Sequence, residues 1–261
     1  MTTIAAEIDR FNRLAETWWN SVGPMRPLHV INRLRLAYIL EQIAAHFASA
    51  GGSTLEGLHI LDVGCGAGLM CEPFARRGAQ VTGIDAAEGN IAAARFHAAG
   101  HGVAVDYRVG DPAAALGTDE RFDAVLLLEV VEHVSDAGLF VTAAGRHVAP
   151  GGVLVISTID RTWKSFGLAI VAAEYLFRLL PTGTHAWRRF VRPSELESAA
   201  NRAGFALVDL RGMRYLPVLY RAWWARDTSV NYIATFARSD SSRASMRQTE
   251  SLHSGHVGRA D

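Results

Sequence analysis

The sequence predicts an α/β chain built on a Rossmann-like sheet of seven strands, mostly parallel, with N-terminal helices ahead of it and a helical insertion after the fifth strand. Three observations carry this expectation. From His59 onward, short apolar runs alternate with segments of helical period. The run Ile60–Gly68 (ILDVGCGAG) takes a strand through a glycine turn into a helix, and Ala124–Leu128 is apolar without interruption, as befits a strand covered on both faces. With 261 residues, 49% of them apolar and 20% charged, the chain can close one large core and is neither collagenous nor wholly disordered.

Along the chain, Ile4, Ile8, Phe11, Leu14 and Trp18 recur at helical spacing, so Ile4–Trp19 reads as an amphipathic helix. A break at Gly23-Pro24 precedes a second helix, Leu28–Phe47, with Ile31, Leu34, Tyr38, Ile39, Ile43 and Phe47 on or near one face. Residues 1–50 therefore form helices that pack on the main domain, residues 51–238, which begins at the linker Gly51-Gly52-Ser53. Strands are expected at His59–Val63, Gln80–Ile84, Val103–Val109, Phe122–Glu129 and Gly152–Thr158, and helices at Leu69–Arg77, Glu88–Ala99 and Asp136–Val148. Pro193 opens a helix whose first turns carry Glu195 and Glu197, where carboxylates suit the helix dipole, and Gly204 ends it. Phe205–Leu210 and Tyr232–Ala237 read as the last two strands; residues 239–261 are polar and predict a disordered tail.

Twenty-six basic and 26 acidic residues cancel, so no net field attracts a polyanion and a nucleic-acid partner is not expected. Cys65 and Cys71 lack the spacing of a zinc site, and Cys65 lies within the glycine turn, which suits a reducing cytoplasm. Residues Thr2 to Asp9 lack a basic and then apolar export pattern, so a cytoplasmic location is expected.

The glycine turn carries the strongest chemistry. Gly64, Gly66 and Gly68 let a ligand approach bare backbone at a helix start, Asp62 places a carboxylate beside that turn, and Asp85 ends the second strand where an acid can hold ribose hydroxyls. A nicotinamide dinucleotide site has similar parts. Its fingerprint, however, requires a third glycine where Leu69 stands, and an acid before the glycines suits a cationic methionine better than a pyrophosphate. Asp111, after the third strand, either meets an adenine amino group or starts a turn with Pro112.

At the end of the fourth strand, LLLEVVEHV gathers Glu129, Glu132 and His133 where a parallel sheet keeps its ligand crevice. Two carboxylates and an imidazole suit Mg²⁺; alternatively His133 acts as a general base, or the group is a structural network.

Together these residues resemble the ubiquinone-biosynthesis O-methyltransferases, a branch of the class I S-adenosylmethionine-dependent methyltransferases. Beyond the acid-x-G-x-G-x-G loop, the resemblance rests on RPLHVINRLRLAYI (Arg26–Ile39), VTGID, EVVEHV, APGG, STIDRTWKS, GTHAWRRFVRP and VNY. It implies methylation of catechol-type hydroxyls on polyprenylated intermediates, at two steps (2-polyprenyl-6-hydroxyphenol and 3-demethylubiquinol). It further implies that Arg35, Gly64, Asp85 and Leu128 contact S-adenosylmethionine, with Arg35 on its carboxylate, and that Glu129, Glu132 and His133 match a motif holding Mg²⁺ in eukaryotic relatives. Leu128 stands where the family commonly has methionine, and Asp160 where it has asparagine. The rival readings are methylation of another small phenol or of a ring carbon, a nicotinamide oxidoreductase, and a non-catalytic scaffold of a quinone-biosynthesis complex.

The insertion, about residues 160–192, contains an apolar run, Ser165–Leu180, interrupted by Glu174 and Arg178 and flanked by Trp163, Trp187 and arginines. It is too short to span a bilayer. It fits either a helix lying on the anionic inner membrane surface, drawing in a lipid-tailed substrate, or a lid packed on the protein.

Overall fold

The alternation of strand and helix signals resolves into an eight-stranded sheet in a computed structural model that describes residues 17–23, 25–47, 55–162 and 190–238. In chain order the elements are α1 (Arg26–Phe47), β1 (His59–Val63), α2 (Cys71–Ala75), β2 (Gln80–Asp85), α3 (Glu88–Gly100), β3 (Asp106–Val109), α4 (Pro112–Ala115), β4 (Phe122–Leu128), α5 (Ala137–Gly145), β5 (Val148–Ile159), α6 (Pro193–Arg202), β6 (Phe205–Leu216), β7 (Arg221–Ala225) and β8 (Asn231–Arg238). The strand order is β3-β2-β1-β4-β5-β8-β6-β7. The first five strands are parallel, whereas β8 pairs antiparallel with both β5 and β6, and β6 with β7.

Seven strands were expected and eight are present. The additional one, β7, returns from β6 through Pro217–Leu219 and Tyr220, a turn with no glycine to announce it. Tyr220 itself takes the positive φ, 47°, that glycine usually supplies. The initial helix predicted over Ile4–Trp19 falls outside the described residues except for its end, as do the body of the insertion and the C-terminal tail.

At the edge, β6 turns Val208 and Leu210 to solvent, whereas both faces of the sheet's centre are buried, and the side-chain alternation on the central strands shows how. On β4, Ala124 and Leu126 enter the core beneath α1 and α3, while Val125 and Leu127 enter the core beneath α5 and α6. On β5, Val153 and Val155 go with the first face, Leu154 and Ile156 with the second. All eight side chains are fully buried, and each of the seven larger than alanine contributes up to ~1.5–3 kcal/mol. Asp136 caps α5 by accepting from the Leu139 amide, and Pro193 opens α6 as predicted. No described helix is long and apolar enough to cross a membrane.

Candidate active site

The carboxyl ends of β1, β2, β4 and β5 meet at one edge, where crossover loops leave backbone groups accessible. There the three glycines adopt φ values of 75° (Gly64), 55° (Gly66) and 84° (Gly68), which side-chain-bearing residues rarely take. The amides of Gly64 and Cys65 donate to the Ile84 carbonyl at 2.8 and 3.0 Å, tying the turn to β2. A Cβ on Gly66 would come within 2.8 Å of the Trp18 ring, one on Gly64 within 2.8 Å of Val130, and one on Gly68 would land on the Tyr107 hydroxyl.

Asp85 locks this turn. Its Oδ2 accepts from the Gly66 amide at 2.9 Å, while Oδ1 accepts from the Ala87 amide at 2.8 Å and from Asn90 Nδ2 at 3.2 Å. Asn90 in turn accepts from Trp18 Nε1 at 3.0 Å, so the N-terminal segment braces the same carboxylate. Burial raises the Asp85 pKa despite those three bonds. Asp62, deeper in the site, has only the weak donor Cys71 Sγ at 3.4 Å on its carboxylate, and burial pushes it up to about 7. A cation beside Asp62 would bring that value down, so the pair of acids and the bare turn fit a positively charged nucleoside.

Asp111 starts the turn with Pro112: its Oδ1 accepts from the Ala113 and Ala114 amides at 3.0 Å and caps α4. Leu128 is the half-buried last residue of β4, in register with Ser157.

Glu129 does not continue the strand as predicted. It turns to a φ of 56°, donates its amide to the Ser157 carbonyl at 2.9 Å, and directs its carboxylate to α1. Arg35, the buried cation on the helix face that also carries Tyr38, Ile39, Gln42 and Ile43, reaches Glu129 Oε1 through Nη2 at 2.6 Å and donates from Nη1 to Asn32 at 3.2 Å, while its Nε has no partner among the described residues. Ser157 Oγ also donates to Glu129 Oε1, at 3.1 Å. Glu132 instead accepts from Thr158 Oγ1 at 2.8 Å within the turn Val131–His133. Its carboxyl is pushed up to about 7, first by burial and then by the charge of Glu129, with His133 opposing.

This arrangement does not fit the Mg²⁺ ion expected at Glu129, Glu132 and His133. Ser157 and Thr158 are successive residues of β5 and point to opposite faces, so the two carboxylates are drawn apart, and the Arg35 guanidinium already neutralises Glu129. Among the described residues no group of three His, Cys, Asp or Glu is placed to hold a metal ion.

Sequence reasoning missed Ser157, Thr158, Asn90 and the bracing role of Trp18. Ser157 and Thr158 lie in STIDRTWKS, and their alternation along a strand was the available signal; Trp18 and Asn90 are 72 residues apart and meet only in the fold.

Residues 33–210 match the methyltransferase-domain family. A ubiquinone biosynthesis O-methyltransferase of Brucella anthropi is 48% identical over 240 residues, covering 91% of this chain and 97% of that protein. Its counterpart in Azorhizobium caulinodans is 49% identical over 231 residues, covering 87% and 90%. The chain belongs to the ubiquinone biosynthesis O-methyltransferase family. It is therefore an S-adenosylmethionine-dependent methyltransferase, and the nicotinamide reading falls. Among solved structures, the magnesium protoporphyrin IX methyltransferase of Synechocystis with bound SAH is 22% identical, covers 90% of this chain and 95% of that one, and superposes with a TM-score of 0.60, which shows the shared fold. In this O-methyltransferase the predicted donor residues Arg35, Asp62, Gly64, Gly66, Gly68, Asp85 and Leu128 stand at the carboxyl edge of the sheet or on the helix covering it.

Proposed function

We propose that this enzyme methylates a phenolic hydroxyl of prenylated catechols in ubiquinone biosynthesis, 2-polyprenyl-6-hydroxyphenol and 3-demethylubiquinol being the two acceptor types. The observation that carries this reading is the glycine turn fastened to Asp85, in a chain 48% identical to such O-methyltransferases over 91% of its length. When bound, S-adenosylmethionine supplies an electrophilic methyl group. Asp85 holds a ribose hydroxyl through the Oδ2 lone pair left over from its three bonds, Asp62 faces the cationic end, and the free Nε of Arg35 receives the methionine carboxylate. Leu128 flanks the adenine, and Asp111 meets its amino group.

A phenol with a pKa near ~10 must lose its proton to become a competent nucleophile. His133, in the turn after β4, accepts it, since an imidazole is the side chain suited to general-base work near neutral pH. Glu132, held by Thr158, steadies that turn, and Glu129 fixes Arg35. Most of the rate enhancement then comes from holding oxygen and methyl in line.

The composition of residues 160–192 supports a further part of this reading: the insertion rests on the inner membrane surface, where a polyprenyl tail resides, and there the enzyme meets its biosynthetic partners. Turnover of a short-chain prenyl catechol with methyl-labelled S-adenosylmethionine, with and without EDTA, tests the proposal. Labelled methyl ether is expected at the same rate in both; label on a ring carbon, or no transfer, overturns it, and loss of rate with EDTA restores the metal.

A further inference from the structure

The far side of the site, around β6 and β8, leaves a pair of buried polar atoms unexplained. Among the described residues, Tyr215 Oη and Asn231 Oδ1 are both shielded from solvent and without a hydrogen-bond partner. An unpaired buried polar atom costs roughly 1–3 kcal/mol, so two near one ligand crevice call for an explanation, and a ligand that completes them is the direct one.

Sheet register shows that they belong together. Asn231 pairs with Ile159, the last residue of β5, and with Met213 of β6; Tyr215 lies two residues beyond Met213, hence on the same face. Ser157 pairs with Ile233, which is also two residues from Asn231, so Ser157, Asn231 and Tyr215 all point to the face covered by α1. That is the face on which Ser157 and Glu129 meet Arg35, whose Nε is likewise buried and unpartnered. The order across the sheet is therefore Arg35 with Ser157, then Asn231, then Tyr215, each step running two residues along the strand direction (about 7 Å) and one strand across (about 5 Å). That step is comparable to the span of a substituted aromatic ring.

We propose that Asn231 and Tyr215 form the acceptor subsite, in which the Asn231 amide oxygen takes a hydrogen bond from a ring hydroxyl and the Tyr215 hydroxyl bonds a second ring oxygen. The ligand class is an aromatic ring bearing neighbouring oxygens, with the reactive oxygen directed back toward the donor. Desolvation raises the Tyr215 hydroxyl to about 12, so it remains a neutral donor at physiological pH. A ring that lacks one of these oxygens leaves a protein group unpaired, which makes the pair a selectivity device and not merely a source of affinity. This inference rests on the O-methylation reading above.

The test uses the full-length enzyme with Tyr215→Phe and Asn231→Ala, a short-chain prenyl catechol, and an analogue of it lacking one ring oxygen. Each variant is expected to raise the catechol KM about 5- to 10-fold, the worth of one neutral hydrogen bond, while the KM for S-adenosylmethionine and the affinity for S-adenosylhomocysteine stay within twofold. The wild type should prefer the catechol over the analogue by a similar factor, and at least one variant should lose that preference. Unchanged catechol KM in both variants, or preference retained in both, overturns the assignment. Weakened S-adenosylhomocysteine binding equal to the KM change also overturns it, since it marks a general structural loss. Should the wild type bind S-adenosylhomocysteine but transfer no methyl to either compound, the O-methylation reading fails first and takes this subsite with it.

Discussion

The two halves of the site are satisfied to different degrees. On the donor half, around β1 and β2, Asp85 accepts three hydrogen bonds and the glycine turn is tied to Ile84, so the cradle stands assembled before any ligand arrives. Around β5, β6 and β8, where the acceptor subsite is proposed, Asn231 Oδ1 and Tyr215 Oη are buried and, among the described residues, unpaired. The difference teaches that the glycine cradle is made rigid by local backbone geometry, whereas the proposed acceptor subsite is framed by long-range strand pairing and has polar atoms still unpaired. Arg35 joins the halves, because it is fixed from α1 to the end of β4.

The join should be the most costly place to cut. Glu129→Gln leaves Arg35 buried without its countercharge, and a loss of about 3 kcal/mol in unfolding free energy is expected by urea denaturation. A loss below about 1 kcal/mol would mean that the halves are held by apolar packing alone. Next comes the donor half itself: Gly66→Ala places a methyl group 2.8 Å from Trp18 at a φ of 55°, and S-adenosylhomocysteine affinity should fall about 30-fold, equivalent to ~2 kcal/mol, with little change in catechol discrimination.

Legibility in the sequence divides along the same line. Gly64, Gly66, Gly68 and Asp85 were readable because the turn, the strand and the acid lie within 22 residues and their geometry is imposed by chain connectivity. Five parallel strands followed from apolar runs for the same reason. The acceptor half is different: Asn231 meets Ile159 and Met213 only through antiparallel pairing across the chain, and β7 went unread because Tyr220 supplies the turn that a glycine would have announced. Glu129, Glu132 and His133 show the intermediate case. Their clustering was visible, but Arg35, 94 residues earlier, and the opposite facing of Ser157 and Thr158 decided what the cluster does.

A smaller effect sharpens the contrast between the carboxylates on the two faces. Folded Glu132 keeps its proton up to about pH 7, while in the unfolded chain it ionises near 4.5. Its contribution to stability therefore falls as pH rises through 4.5 to 7 and is constant above that. Glu132→Gln, which retains an acceptor for Thr158, should melt about 4 °C above the wild type at pH 8 and at the same temperature at pH 4. An equal difference at both pH values would place the effect in packing and not in ionisation.

Titration calorimetry of S-adenosylhomocysteine into the wild type and Asp85→Ala, both shown to be folded by circular dichroism, probes the donor cradle most directly. The wild type should bind with one site per chain, and Asp85→Ala should bind at least tenfold more weakly, because it loses both the ribose acceptor and the bond that fixes Gly66. Equal affinity in the two proteins, or no heat of binding in the wild type, would contradict the claim that Asp85 and the glycine turn hold the methyl donor.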